Sequence, residues 1–261
     1  MGTGGGLEIA RLKTGKGGGS MNPQPSLWSL MAYGNAGFGD EFLRGILFTL
    51  QISVCGYILG FILGLLGAGA KLHGNKWLYR VGDLYTTFIR AIPELLLILM
   101  VYYMGTRALN AALVGIGIAN ENIEISPFVA AVASLGFIYG AYLTDILRGA
   151  IQAIPKGQIE AARAYGMHAP MRFRRIIFPQ MIRYAIPGMG NQWLNMTKDS
   201  SLVSTIGAFE LAFAAKSAAA QTKHYLFFYS IGALCFLGIT IVSMMLLQQV
   251  ERRASRGVRR A

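Results

Sequence analysis

Few charged or amide side chains interrupt the apolar stretches of this 261-residue sequence, and those few are where its chemistry must reside. Arg90 and Glu94 flank Pro93 at a spacing of four, which on a continuous helix puts both on one face. A carboxylate among apolar neighbours can hold an ammonium or guanidinium group, or it can be neutralised by the nearby arginine. Asn191 and Asn195 repeat the spacing of four and are followed by Lys198 and Asp199. Buried amides need partners, on a neighbouring helix or on a polar ligand. Asp145 and Arg148 stand three apart, as an ion pair near a helix end would. These groups bind and orient rather than react. His73, His168 and His224 are scattered in polar connections, and no catalytic triad, catalytic residue or metal-ligand set stands out. Thr14-Gly15-Lys16-Gly17 lacks the spacing of a G-x-x-x-x-G-K-[S/T] phosphate loop.

The elements that carry these residues are read from the apolar runs. Hydrophobic residues make up 54% of the chain and charged ones 14%, with a mean hydropathy of +0.45. An ordinary soluble domain is about 25% charged, so the excess apolar surface is expected to face lipid. Runs long enough to cross a bilayer, which takes about 20 residues, fall at about 45–70, 82–105, 125–147, 184–202 and 225–250. The second holds Asp83, Arg90 and Glu94; counted from Gly82 at about 1.5 Å per residue, Glu94 sits roughly 18 Å along, near the midplane. The fourth, with Pro187, Asn191, Gln192, Asn195, Lys198 and Asp199, is too polar to touch lipid all round. Residues 108–120 are too short to cross and end at Glu121 and Glu124, so they read as a helical turn or loop on the outer face.

A net charge of +12 raises nucleic-acid binding as a candidate, but its distribution argues for a membrane. The basic residues cluster between apolar runs: Lys71, Lys76 and Arg80; the stretch 148–183 with Arg172, Arg174 and Arg175; and Arg252, Arg253, Arg256, Arg259 and Arg260. Such clusters mark cytoplasmic loops. Five spans with all three clusters inside put the N-terminus outside and the C-terminus in the cytoplasm. The resulting organisation is a leader over 1–40, a transmembrane unit over 41–250 with a cytoplasmic loop at 150–183, and a basic tail over 251–261. The glycine-rich first twenty residues read as a flexible leader, an upstream start or an appended remnant, with Met21 an alternative start. Cys55 and Cys235 lie within apolar runs and read as small hydrophobes.

The basic loop carries the most specific pattern. Glu160-Ala161-Ala162 is followed at fixed spacing by Gly166, Ile176, Phe178 and Pro179. Residues 158–165 are expected to form two helical turns stopped by Gly166, with Glu160 in a first turn where the helix dipole favours an acid. The pattern resembles the EAA loop of permease subunits of binding-protein-dependent ABC importers, with Phe178 in place of the usual leucine before Pro179. Further stretches resemble polar amino-acid permeases: Arg90-Ala91-Ile92-Pro93, Tyr139-Gly140-Ala141-Tyr142, Arg148-Gly149-Ala150, Pro155-Lys156-Gly157, Pro187-Gly188 and Ser201-Leu202-Val203. The chain is most similar to the Q-type subunit of histidine, lysine-arginine-ornithine and opine importers.

This resemblance implies an all-α integral membrane fold, five transmembrane helices with a cytoplasmic coupling helix, in a bacterial inner membrane. It implies coupling to a separate ATPase through Glu160, Ala161, Ala162, Gly166, Ile176, Phe178 and Pro179. Its implied partners are a second, M-type permease, two copies of a cytoplasmic ATPase and a periplasmic substrate-binding protein, with no nucleic acid. No cofactor is then bound by this chain; ATP and Mg belong to the ATPase. Glu94, Arg90, Tyr142, Asn191, Asn195 and Asp199 make up the expected solute pathway for a basic amino acid or opine. A secondary transporter or channel for small polar solutes would share the composition and is the alternative.

Overall fold

Helices form the whole framework of residues 27–34, 37–115 and 125–254, which the computed structural model describes. The alternative start at Met21, the outer-face residues 116–124 with Glu121 and Glu124, and the tail arginines Arg256, Arg259 and Arg260 lie outside the described residues. A 3-10 turn, Leu27–Met31, precedes helix α1, Gly39–Leu72. Asp40 and Glu41 in the first turn of α1 and Lys71 in its last suit the helix dipole. At about 1.5 Å per residue α1 is roughly 50 Å long, more than the ~30 Å hydrocarbon layer requires.

The buried face of α1 is mostly small: Gly45, Thr49, Ser53, Gly56, Gly60, Gly64 and Ala68. This face lies along α4, Pro127–Gln152, which Ser126 caps by accepting from the Val129 N–H and which starts on a proline. The two backbones approach closely at Gly60 and Gly64, where an added Cβ would come within 3.2 Å of the Gly136 carbonyl oxygen and 2.7 Å of the Leu143 Cβ. Helix α4 is central. In its most apolar stretch 61% of residues are buried, against 28% in α1 and 11% in the last helix, so those two present broad apolar surfaces for lipid or another chain to cover.

Between them the chain folds differently from the expected single run 82–105. Helix α2, Lys76–Ala91, is capped by Asn75 and ends where Ile92 takes an extended conformation. Pro93 is the cause, because it pushes the preceding residue out of the helical region. A new helix, α3, Glu94–Gly115, starts immediately and is itself long and apolar enough to cross a membrane. The stretch 108–115 is thus helical, but as the continuation of α3 and not as a separate turn or loop.

The expected cytoplasmic loop is largely helical. It holds α5, Lys156–Ala164, then α6, Ala169–Arg172, a π-helical turn over Phe173–Ile177, and α7, Phe178–Asp199. A 3-10 segment, Ser200–Ile206, extends α7, and Gly207 at φ 83° ends it. Helices α8, Leu211–Thr222, and α9, Tyr225–Ala254, complete the fold. Four helices, α1, α3, α4 and α9, can each cross a membrane, and Ala169–Ile206 with Leu211–Thr222, bent by 52°, makes a fifth candidate. Glu210, fully buried, caps α8 by accepting from the backbone N–H groups of Ala212 and Phe213, and the Leu211 N–H donates to Thr49 Oγ1 of α1 at 3.2 Å. The bend is therefore tied to α1 with its polar groups satisfied.

Candidate functional site

Two tyrosines about halfway along α4 gather the acids that the apolar runs set apart. Tyr139 and Tyr142 are three residues apart, on one helix face, with ring centroids 5.7 Å apart. The Tyr142 hydroxyl donates to Glu94 Oε1 at 2.9 Å, and the Tyr139 hydroxyl donates to Asp199 Oδ2 at 2.6 Å. Glu94 is the first residue of α3 and Asp199 the last of α7, so α4 joins two helix ends that are remote in sequence. These four side chains, with Gln192, Asn195 and Lys198, line a cavity of about 310 Å³. With both acids ionised and Lys198 charged, the lining carries two negative charges and one positive.

Of the six residues expected on a solute pathway, Glu94, Tyr142, Asn195 and Asp199 meet here, while Arg90 and Asn191 do not line the cavity. The residues of α7 that face it are Gln192, Asn195, Lys198 and Asp199, and Asn191 is exposed outside it. Of the two readings left open for Glu94, neutralisation by Arg90 is not the one seen: the extended Ile92 separates the two residues onto different helices, and Arg90 pairs with Asp145. The count from Gly82 to Glu94 along a single helix is interrupted at the same place. Tyr139, Gln192 and Lys198 also line the cavity and were not expected there: a tyrosine in an apolar helix looks like core, and only its partner across the fold sets it apart.

Arg90 belongs to a second polar cluster. Its Nη1 donates to Asp145 Oδ2 at 2.8 Å, and its guanidinium carbon lies 6.0 Å from the centre of the Tyr142 ring. Lys71 Nζ donates to Asp145 Oδ1 at 3.0 Å and to Thr86 Oγ1 at 2.6 Å, and lies 3.2 Å from Asp83 Oδ1. Both oxygens of Asp145 are thus engaged by other helices, and the expected Asp145–Arg148 pair gives way to them. Arg148 instead sets its guanidinium 5.6 Å from the Tyr79 ring centre. The cluster borders a separate cavity of about 720 Å³. Lys71 reads in sequence as one more loop cation; its position at the inner end of a glycine-lined face was the available signal.

The seven residues of the loop motif occupy two adjoining pieces. Glu160, Ala161 and Ala162 lie on α5, Gly166 just beyond it, Ile176 in the π turn, and Phe178 and Pro179 in the first turn of α7. Helix α5 starts at Lys156, so Glu160 lies in its second turn and the expected dipole benefit at the first turn does not arise. Gly166, at φ 74°, closes α5 with bonds from its own N–H to Arg163 O at 2.9 Å and from Met167 N–H to Ala162 O at 3.0 Å. Ala162 is buried and Ile159 packs against the cluster of Leu147, Ile154 and Met181, whereas Glu160, Ala161 and Tyr165 face outward. A short helix is thereby fixed to the body by one face with its other face free to meet another protein.

Among the described residues no group of three or more His, Cys, Asp or Glu is arranged to hold a metal ion. Residues 56–256 match the family model described as binding-protein-dependent transport system inner membrane component. The chain is 43% identical over 225 residues to the histidine/lysine/arginine/ornithine transport system permease protein HisQ of Salmonella typhimurium, covering 86% of this chain and 98% of that protein. It is 40% identical over 231 residues to the nopaline transport system permease protein NocQ of Agrobacterium fabrum, covering 88% and 98%. A crystal structure of an amino acid ABC transporter superposes with a TM-score of 0.69 at 32% identity, covering 83% of this chain and 95% of that one.

Proposed function

The chain belongs to the binding-protein-dependent transport system inner membrane components, and from that premise we propose that it carries basic amino acids or opines inward across a bacterial inner membrane, driven by ATP hydrolysis in a separate subunit. The observation that carries the solute class is the pair of tyrosine-held carboxylates. Each tyrosine hydroxyl takes one oxygen of its acid, at 2.9 Å for Glu94 and 2.6 Å for Asp199, and so orients the other. An α-amino acid with a cationic side chain has two positive groups and one carboxylate. Glu94 and Asp199 match the two cations, Lys198 matches the carboxylate, and Gln192 and Asn195 supply neutral hydrogen bonds. The relatives named for histidine, lysine, arginine, ornithine and nopaline transport support the same class.

The partners follow from this reading: a second, M-type permease subunit, two copies of a cytoplasmic ATPase and a periplasmic substrate-binding protein. Helix α5 with Gly166 and the π turn is the docking element, since its outward face, Glu160 and Ala161, is small and polar enough to enter a cleft. The N-terminus then lies outside and the basic C-terminus in the cytoplasm. ATP and Mg are held by the ATPase.

The test is uptake by the reconstituted complex. A hydrogen bond to a charged group is worth about 1.5–3 kcal/mol, so Glu94→Gln and Asp199→Asn should each lower arginine uptake roughly tenfold or more. Uptake unchanged in both variants would remove the cavity from the solute pathway.

A further inference from the structure

We propose that Lys71, Asp145 and Arg90 form a positioning tie that fastens the end of α2 to α4, so that α2 moves together with α4 and with the Glu94 carboxylate that Tyr142 holds. Lys71 is the anchor. Its side chain is 2% exposed, and a buried ammonium is tolerated only when well partnered. Its partners Thr86 and Asp83 come from α2 and Asp145 from α4, so one cation fastens α1, α2 and α4 at a single point. The second oxygen of Asp145 is held by Arg90, in the last turn of α2.

What makes this cluster more than a staple is its place beside the helix break. Asp145 follows Tyr142 by three residues on the same face of α4, about one turn away. Asp145 holds the end of α2 and Tyr142 holds Glu94 at the start of α3, so the two links grip the chain on either side of Ile92 and Pro93. A displacement of α4 then carries both sides of the break together. Without the Arg90 link, the end of α2 is free of α4 at the break and Glu94 is held by Tyr142 alone. Helix α4 runs through Ala153 and Pro155 into α5, and the inference rests on reading α5 as the element that docks the ATPase. The adjoining cavity of about 720 Å³ leaves the tie room to shift.

The experiment uses the assembled complex, with Cys55 and Cys235 replaced by Ser and a single reporter, Thr87→Cys, in the cavity wall. Thiol labelling is compared without nucleotide and with ATP bound. The rate should change with nucleotide in the otherwise unaltered chain and in Arg90→Lys, and the change should vanish in Arg90→Gln and Asp145→Asn. Those two variants should also lose about tenfold in transport turnover with the apparent KM for arginine within about twofold, the pattern of an interaction made during turnover rather than on binding. A labelling change that survives in Arg90→Gln, or is absent from the unaltered chain, overturns the proposal. So does a raised KM with turnover intact, which would make Arg90 a solute contact. Failure of the solute reading is separately visible, because labelling requires no amino acid.

Discussion

At the residue scale, the two tyrosine–carboxylate pairs are the observation on which the proposed solute site rests. An ionisable group within an apolar bundle is costly unless it is partnered or functional, and here each acid is fixed from one side only. Tyr142→Phe keeps the packing of the ring and removes the donor to Glu94. It should raise the apparent KM for arginine about threefold to tenfold, a net hydrogen bond being worth about 0.5–1.5 kcal/mol, with the complex purifying in normal yield. An unchanged KM would show that Glu94 needs no orientation. Glu94, Asn195 and Asp199 were legible in the sequence because polar residues are conspicuous in apolar runs. Their arrangement was not, since the choice between a free Glu94 and one neutralised by Arg90 turns on a helix break at Ile92 and Pro93.

At the scale of elements, two glycines do work that no other residue could take over without strain. Gly64 sits where α1 touches α4, and Gly64→Leu would drive a side chain into Leu143, with overpacking of this kind costing on the order of 1–3 kcal/mol. The expected result is a lower thermal midpoint in detergent; a midpoint equal to that of the unaltered protein would contradict the close approach. Gly166 holds φ 74° with open space around it, so Gly166→Val meets backbone strain of about 1–2 kcal/mol and no clash. That variant should insert and fold yet fail to retain the ATPase on purification, and normal retention would reduce α5 to a connector. The short helix and its glycine stop were readable from Glu160, Ala161, Ala162 and Gly166. Its start at Lys156 was not, because Pro155 supplies no side-chain cap to mark it. The Ile92 break was hidden by the apolar residues that continue unbroken after Glu94, even though Pro93 was in plain view.

At the scale of the molecule, the central helix α4 carries the proposed solute site on one face, packs against α1 on another and leads into α5, the proposed docking helix. The orientation predicted for it can be checked by single cysteines at Lys156 and Gln221, both exposed. They should label from opposite sides of the membrane, and labelling of both from outside would overturn this topology. The measurement that bears most directly on the whole is arginine uptake into vesicles containing this chain, its permease partner and the ATPase, with the binding protein on the opposite side from ATP. Uptake should require ATP, the ATPase and the binding protein together, and should persist when ion gradients are collapsed. Uptake that continues without the ATPase and follows an imposed gradient would contradict the account and make this chain part of a secondary transporter.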